Sequence, residues 1–128
     1  MRLSGKKWFV MLAMAGLLLY TGTSSCLADS IKVGAAINLT GPASTWGQYH
    51  AKGQQDYFRY VNEVKGGVAG RQIEMILIDT AYKVPEAVSA VRKFAVQDNV
   101  DMIATWGAGE GLAAKPLVQK YKIPTINY

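Results

Sequence analysis

Four short apolar segments, kept apart by stretches long enough to be helices, constrain this chain more than any single residue does. Ile31–Leu39 (IKVGAAINL), Gln72–Ile78 (QIEMILI), Val100–Thr105 (VDMIAT) and Ile123–Tyr128 read as strands. The first is apolar almost throughout, the pattern of a strand covered on both faces of its sheet. Strands separated by ten or more helix-forming residues need crossover connections, which make neighbouring strands parallel and the crossovers right-handed. The expected fold class is therefore α/β: an open parallel sheet with helices on both faces.

The intervening stretches support this reading. A first helix is expected from about Gly47 to Val64, with Gly53, Tyr57, Tyr60 or Val61, and Val64 as its apolar stripe. The run Lys65–Arg71 ends it, its glycines supplying positive-φ positions for a cap and a turn. A second helix is expected over Pro85–Gln97, opening on a proline whose missing N–H costs nothing in a first turn, and burying Val88, Val91, Phe94 and Ala95. A third is expected from Gly111 or Leu112 to Tyr121, with Pro116 near its first turns.

Residues 1–28 read as a secretory signal peptide. Arg2, Lys6 and Lys7 form a basic start, and Trp8–Tyr20 is an apolar run of 13 residues, short of the roughly 20 that span a bilayer. Cys26-Leu27-Ala28 places small residues at both cleavage positions, which puts the cut before Asp29. The expected location is periplasmic or extracytoplasmic. Lipid anchoring through Cys26 is the alternative; Thr23-Ser24-Ser25 before it lacks the leucine such a signal prefers. Cys26 is the only cysteine, so a chain cut after Ala28 has no disulfide. All nine acids but only eleven of the fourteen bases follow Ala28, so the net charge drops from +5 to +2. Without a basic cluster interleaved with aromatics, no nucleic-acid partner is expected. Residues 29–128 suffice for one small domain, and the strand-like end at Tyr128 reads as the opening of a longer, truncated protein.

In open α/β sheets, ligands sit outside the carboxyl ends of the strands, near the point where strand order reverses. Those ends are Thr40–Gly47, Asp79–Tyr82, Trp106–Gly111 and Tyr128. The run Trp106-Gly-Ala-Gly-Glu-Gly111 is the best binding candidate, because its backbone N–H groups can approach a ligand and a helix N-terminus favours an anion. Its glycines follow neither the dinucleotide nor the P-loop pattern, so no nucleotide cofactor is expected. Trp46 and Trp106 are expected to wall one crevice, suited to an apolar side chain or an ammonium group, with Tyr82 and Tyr128 as further aromatics. Asp79 reads as a turn former or a partner for an amine, and Glu110 as a first-turn acid stabilised by the helix dipole. His50 stands alone, so no metal site is expected. No Ser/His/Asp set is visible, and no catalytic residue or enzyme activity is expected. Asn38-Leu39-Thr40 is formally a glycosylation sequon at a strand end.

The segments IKVGAAINLTGPASTWGQ, NEVKGGVAGRQIEMILIDT, VPEAVSAVRKFAVQDNVDMIATWGAGE and KIPTINY, in that order, carry a resemblance. From Ile31 to Tyr128 the chain resembles the extracytoplasmic substrate-binding proteins of branched-chain amino-acid ABC transporters, the leucine/isoleucine/valine-binding type. The resemblance implies a type I periplasmic-binding-protein fold. Residues 29–128 would form the N-terminal part of ligand-binding lobe 1, in a protein whose two lobes close by hinge motion. It implies a small-molecule solute and membrane permease subunits as partners. It places ligand contacts near Gly107, Ala108 and Gly109, further ones near Tyr128, and Trp46 in an aromatic-bearing loop. Two departures bear on the ligand. Gly107-Ala108-Gly109 stands where many relatives carry serines, and Val84 stands where many carry an aspartate able to cap the next helix. The ligand class is therefore an amino acid, an amide, urea, an aromatic acid or another small organic acid. A sensor or receptor domain of the same fold is the alternative, and an exported enzyme a third reading, because one architecture hosts many functions.

Overall fold

The computed structural model describes residues 29–128, so the expected signal peptide and Cys26 lie outside the described residues. Eight elements follow one another: β1 (Ile31–Ile37), α1 (Ser44–Lys65), β2 (Ile73–Asp79), α2 (Val84–Lys93), a π-helical turn (Phe94–Asp98), β3 (Met102–Thr105), α3 (Ala108–Tyr121) and β4 (Thr125–Asn127). The four strands form one parallel sheet in the order β2-β1-β3-β4. Strand order reverses at β1, whose two neighbours are β2 and β3. The expected α/β sheet is therefore what forms, and among the described residues no helix is long and apolar enough to cross a membrane.

Each face of the sheet has its own core. Gly34 and Ala36 of β1 and Ile103 of β3 face α2 and α3, where Ala90, Val91, Phe94 and Ala114 close the layer. Ala35 and Ile37 of β1 and Ala104 of β3 face α1 through Ala51. This split follows from right-handed crossovers: β1 to β2 runs one way across the sheet, and β2 to β3 to β4 runs the other. The small residues of β1 let helices approach closely. A Cβ on Gly34 would lie 2.6 Å from the Phe94 ring, so the glycine makes the seat for that fully buried side chain. The π-helical turn widens the end of α2, and the Val100 N–H returns to the Phe94 carbonyl at 3.1 Å.

Three helix expectations need correction. The apolar stripe of α1 does not run through Gly53, Tyr57 and Val64, all of which are exposed; of the alternatives Tyr60 and Val61 it is Val61 that is buried, together with Gly47 and Ala51. The sheet beneath α1 is lined by Ala35, Ile37 and Ala104, and small residues bring the helix down onto it, while tyrosine hydroxyls stay in water. Asn62 fixes the register, its side chain donating to the Ile73 carbonyl at 2.9 Å and accepting the Ile73 N–H at 2.8 Å. α1 also begins at Ser44 rather than Gly47, which puts Trp46 in its first turn instead of a loop. α3 begins at Ala108, and so Pro116 lies inside the helix rather than near its start. α2 begins at Val84, within a residue of the expected Pro85; its N-cap is Lys83, which makes no side-chain cap, so Val84 is a first-turn residue and not the capping position.

On the α1 face, beside β3 and β4, an open apolar groove of about 730 Å³ is lined by Tyr49, Tyr57, Phe58, Met102, Ala104 and Ile126, among others.

Candidate functional site

The carboxyl ends of the strands are tied together by backbone and side-chain bonds. Asp79 closes β2, and its Oδ1 accepts the N–H groups of Leu39 (2.8 Å), Thr40 (3.2 Å) and Ala81 (2.9 Å). Its Oδ2 accepts the Thr40 hydroxyl at 2.6 Å. Desolvation pushes its pKa up, but the Thr40 hydroxyl and the N–H groups of Ala81, Thr40 and Leu39 outweigh it and hold the carboxyl below the ordinary aspartate value. Asp79 is thus a turn former that joins the loops after β1 and β2. Those loops touch elsewhere as well, since a Cβ on Gly41 would lie 2.7 Å from the Ala81 carbonyl oxygen.

The loop after β2 carries two successive non-glycine residues with left-handed backbone, Ala81 (φ 50°) and Tyr82 (φ 60°). Such residues are costly and cluster where a fold over-determines its loops. Here they bring the Tyr82 ring over Gly107, whose Cβ, if it had one, would lie 2.9 Å from that ring. Tyr82 also meets Trp106 edge-on at 6.0 Å between centroids.

Gly107 is the N-cap of α3 with φ 104°, a conformation that L side chains resist. Its N–H donates to the Tyr128 carbonyl (3.0 Å), and its own carbonyl accepts the Gly111 N–H (3.0 Å). The Tyr128 N–H in turn reaches the Thr105 carbonyl at 3.1 Å. A Cβ on Gly111 would lie 2.4 Å from Asn127 Oδ1, so a glycine there lets α3 sit against β4. The first-turn N–H groups, those of residues 108–110, have no partner within the helix and receive no side-chain cap. Ala108 and Gly109 are exposed, which leaves that end of the helix dipole open to an anion.

The six residues picked from sequence fall into three groups. Trp106, Gly107, Ala108 and Gly109 form one continuous strand-to-helix edge. Trp106 packs on the Ala35–Ile37 core and on Tyr82, rather than pairing with Trp46. Trp46 projects from α1 at 70% exposure. Tyr128 joins the site through its backbone, but its ring turns the other way, onto His50 of α1 at 4.2 Å, and lines the apolar groove. Burial lowers the pKa of His50, which therefore favours its neutral form.

Three polar residues beneath this edge carried no binding signal in the sequence. Asn38 at the end of β1, Thr80 after β2 and Glu110 in the first turn of α3 are buried to 0%, 0% and 2% exposure. Their side-chain polar atoms make no hydrogen bond of good geometry within the chain. The Thr80 hydroxyl nonetheless lies near enough to Glu110 to favour its ionised form. The burial of Asn38 also removes the sequon side chain from the surface. Glu110 does sit in the first turn as expected, but inside the protein rather than in water. A Cβ on Gly107 would lie 3.3 Å from Glu110 Oε2, which places the carboxyl directly under the helix start. Among the described residues no cluster of three or more His, Cys, Asp or Glu side chains could hold a metal.

The sequence profile of the family described as periplasmic binding protein matches residues 30–128. A curated relative, the leucine-, isoleucine-, valine-, threonine- and alanine-binding protein of Pseudomonas aeruginosa, is 33% identical over 95 residues, 74% of this chain and 24% of its own. Two solved structures superpose with a TM-score of 0.69 each. One is the branched-chain amino acid transporter substrate-binding protein of Streptococcus pneumoniae in complex with isoleucine, 29% identical, with 77% of this chain and 28% of that one covered. The other is a fatty acid ABC transporter substrate-binding protein from Thermomonospora curvata, 34% identical, with 77% and 25% covered. The chain spans about a quarter of the length of these relatives.

Proposed function

The chain belongs to the periplasmic binding protein family, and from that premise we propose that it is the ligand-contacting opening part of an extracytoplasmic solute-binding component of an ABC importer. The solute is a small organic acid, amino acids included. Capture and release, with no chemistry on the ligand, is the mechanism: contacts that bridge two lobes shift the population toward a closed form, which then engages membrane permease subunits. Residues 29–128 provide one partial lobe, and binding weaker than micromolar is expected of them alone.

The observation that carries this reading is the open first turn of α3, with Ala108 and Gly109 exposed and no side-chain cap. It lies at the carboxyl ends of the strands, near the reversal of strand order at β1, where such sheets take ligands. Relatives named for amino acids and for fatty acids have the carboxylate as the polar group common to their ligands. A backbone cradle suits that group, because N–H donors at a helix start replace the hydroxyls lacking in Gly107-Ala108-Gly109. Trp106 and Tyr82 supply an apolar wall beside it, and the Tyr128 backbone flanks it.

The test is a thermal-shift panel on the full-length protein without residues 1–28. The panel holds aliphatic and aromatic amino acids, their amides, short fatty acids and benzoates. A ligand at 100 times its dissociation constant adds about 2.7 kcal/mol. A saturable shift with carboxylates but not with the matching amides is expected, with the ligand recovered unmodified. A folded protein with a flat panel, or one that binds amides as well as acids, contradicts the proposal.

A further inference from the structure

Glu110 is a buried acid with no assigned task in ligand capture. The residue is 2% exposed, its carboxyl oxygens find no well-formed hydrogen bond beyond the approach of the Thr80 hydroxyl, and it lies under Gly107, at the start of the helix expected to hold an anion. The groups facing it are few. Thr80 and Asp79 approach from the end of β2, Tyr82 covers Gly107 from the loop above, and no basic side chain from any described element offsets the charge. Asp79 is itself held ionised by four hydrogen bonds. A ligand carboxylate on the N–H groups of residues 108–110 would add a further negative charge to the same low-dielectric corner, where like charges repel far more strongly than in water.

We propose that Glu110 is a specificity-determining residue that must carry its proton for an anionic group to sit on the start of α3, so that anion capture and proton uptake are one event. The inference rests on the function proposed above and adds a rule to it. With Glu110 neutral, the helix start keeps its full positive end and takes a carboxylate. With Glu110 ionised, the acid itself satisfies that end, and a neutral or cationic group is preferred. Desolvation and the charge of Asp79 already raise its pKa in the free protein, despite the opposing contact of Thr80, which lowers the cost of the proton-bearing form. One residue thereby accounts for selecting charge at a helix start that has no side-chain cap.

The experiment uses the full-length protein with isoleucine, octanoate and benzoate as probes. Carbon-13 NMR of the Glu110 carboxyl first locates the pH at which it ionises without ligand. Calorimetry one unit above that pH, in two buffers of different ionisation enthalpy, then counts the protons taken up. The wild type is expected to take up close to one proton per carboxylate bound, and to lose affinity up to tenfold per pH unit above that point. Glu110→Gln, neutral at every pH, is expected to bind without uptake and with a flat profile. A residue that only supports the fold would not move the proton count, and the wild-type count stands even if the variant fails to fold. Binding with no proton uptake, or equal uptake in the glutamine variant, overturns this inference alone. No binding of any probe overturns the function it rests on and the inference with it.

Discussion

Removing the Asp79 carboxylate tests whether the strand ends are held as a unit. Four donors converge on it, two of them part-buried (the Leu39 and Ala81 N–H groups) and two solvent-facing (the Thr40 N–H and hydroxyl). Asp79→Ala strands the two part-buried N–H groups, each costing about 1–3 kcal/mol when unpaired, while water replaces the Thr40 contacts. With partial relaxation, a loss of about 2–4 kcal/mol is expected. Asp79→Asn keeps an oxygen at Oδ1 for the three backbone donors but puts an NH2 group where Oδ2 accepts the Thr40 hydroxyl, so it loses the charge and that bond, for about 1–2 kcal/mol. Because the folded-state pKa of Asp79 lies below its ordinary value of 3.8, the charge stabilises the fold above that pH, and the benefit fades as pH falls through the folded value. Urea denaturation of all three proteins at neutral pH and at several points below about pH 4 measures both effects. The gap between wild type and Asp79→Asn is expected to close with acidification. An Asp79→Ala protein within about 0.5 kcal/mol of wild type, or a wild-type-to-Asn gap that does not narrow as pH falls below about 4, would refute the reasoning.

Other perturbations have equally definite outcomes. Gly47→Ala puts a Cβ 2.0 Å from the Asn38 carbonyl oxygen, a backbone clash that only a shift of α1 relieves; about 3 kcal/mol or more of stability is expected to be lost in urea titration. Asn62→Leu orphans both backbone groups of Ile73 and should cost about 2–4 kcal/mol, with no change in the pH dependence of unfolding. Glu110 has a folded-state pKa above its ordinary value, so its stabilising effect is complete below about pH 4.5 and is lost as pH rises through the folded value. Glu110→Gln should therefore gain stability relative to wild type as the pH is raised, and equal gaps at about pH 4 and pH 8 would contradict this.

The sheet was legible because its strands are apolar on both faces, and runs such as Val33–Ile37 have few other uses. The faces of α1 were not. Tyr57, Tyr60 and Val64 keep helical spacing, yet they are exposed, because close packing on Ala35 and Ala104 favours Gly47 and Ala51, which carry almost no hydrophobic signal. The start of α3 was placed too late for a related reason. Three glycines in five residues argue against a helix by propensity, but the Gly107–Tyr128 bond and the seat of Gly111 against Asn127 override it. Residues 106–109 were legible as one segment, since they are contiguous and open a helix. The direction of the Tyr128 ring was not, because it depends on His50, far away in the chain. Nothing local marks Asn38, Thr80 or Glu110 as buried; each looks like an ordinary loop or first-turn residue until three strand ends close around it.

The place of β1 in the sheet also sets a timetable. Among the described strands, β1 is made first and alone has a neighbour on each side that arrives later: Ile31 waits for Ile73, and Val33 waits for Met102. At roughly 5–20 residues per second, seconds pass between the emergence of the central strand and the arrival of its second partner. Neither face of the sheet can form its core during that interval, because both cores draw on β1 and β3 together. Helices α1 and α2 are thus made before the sheet they cover is complete, and each waits for β3 before its layer can close.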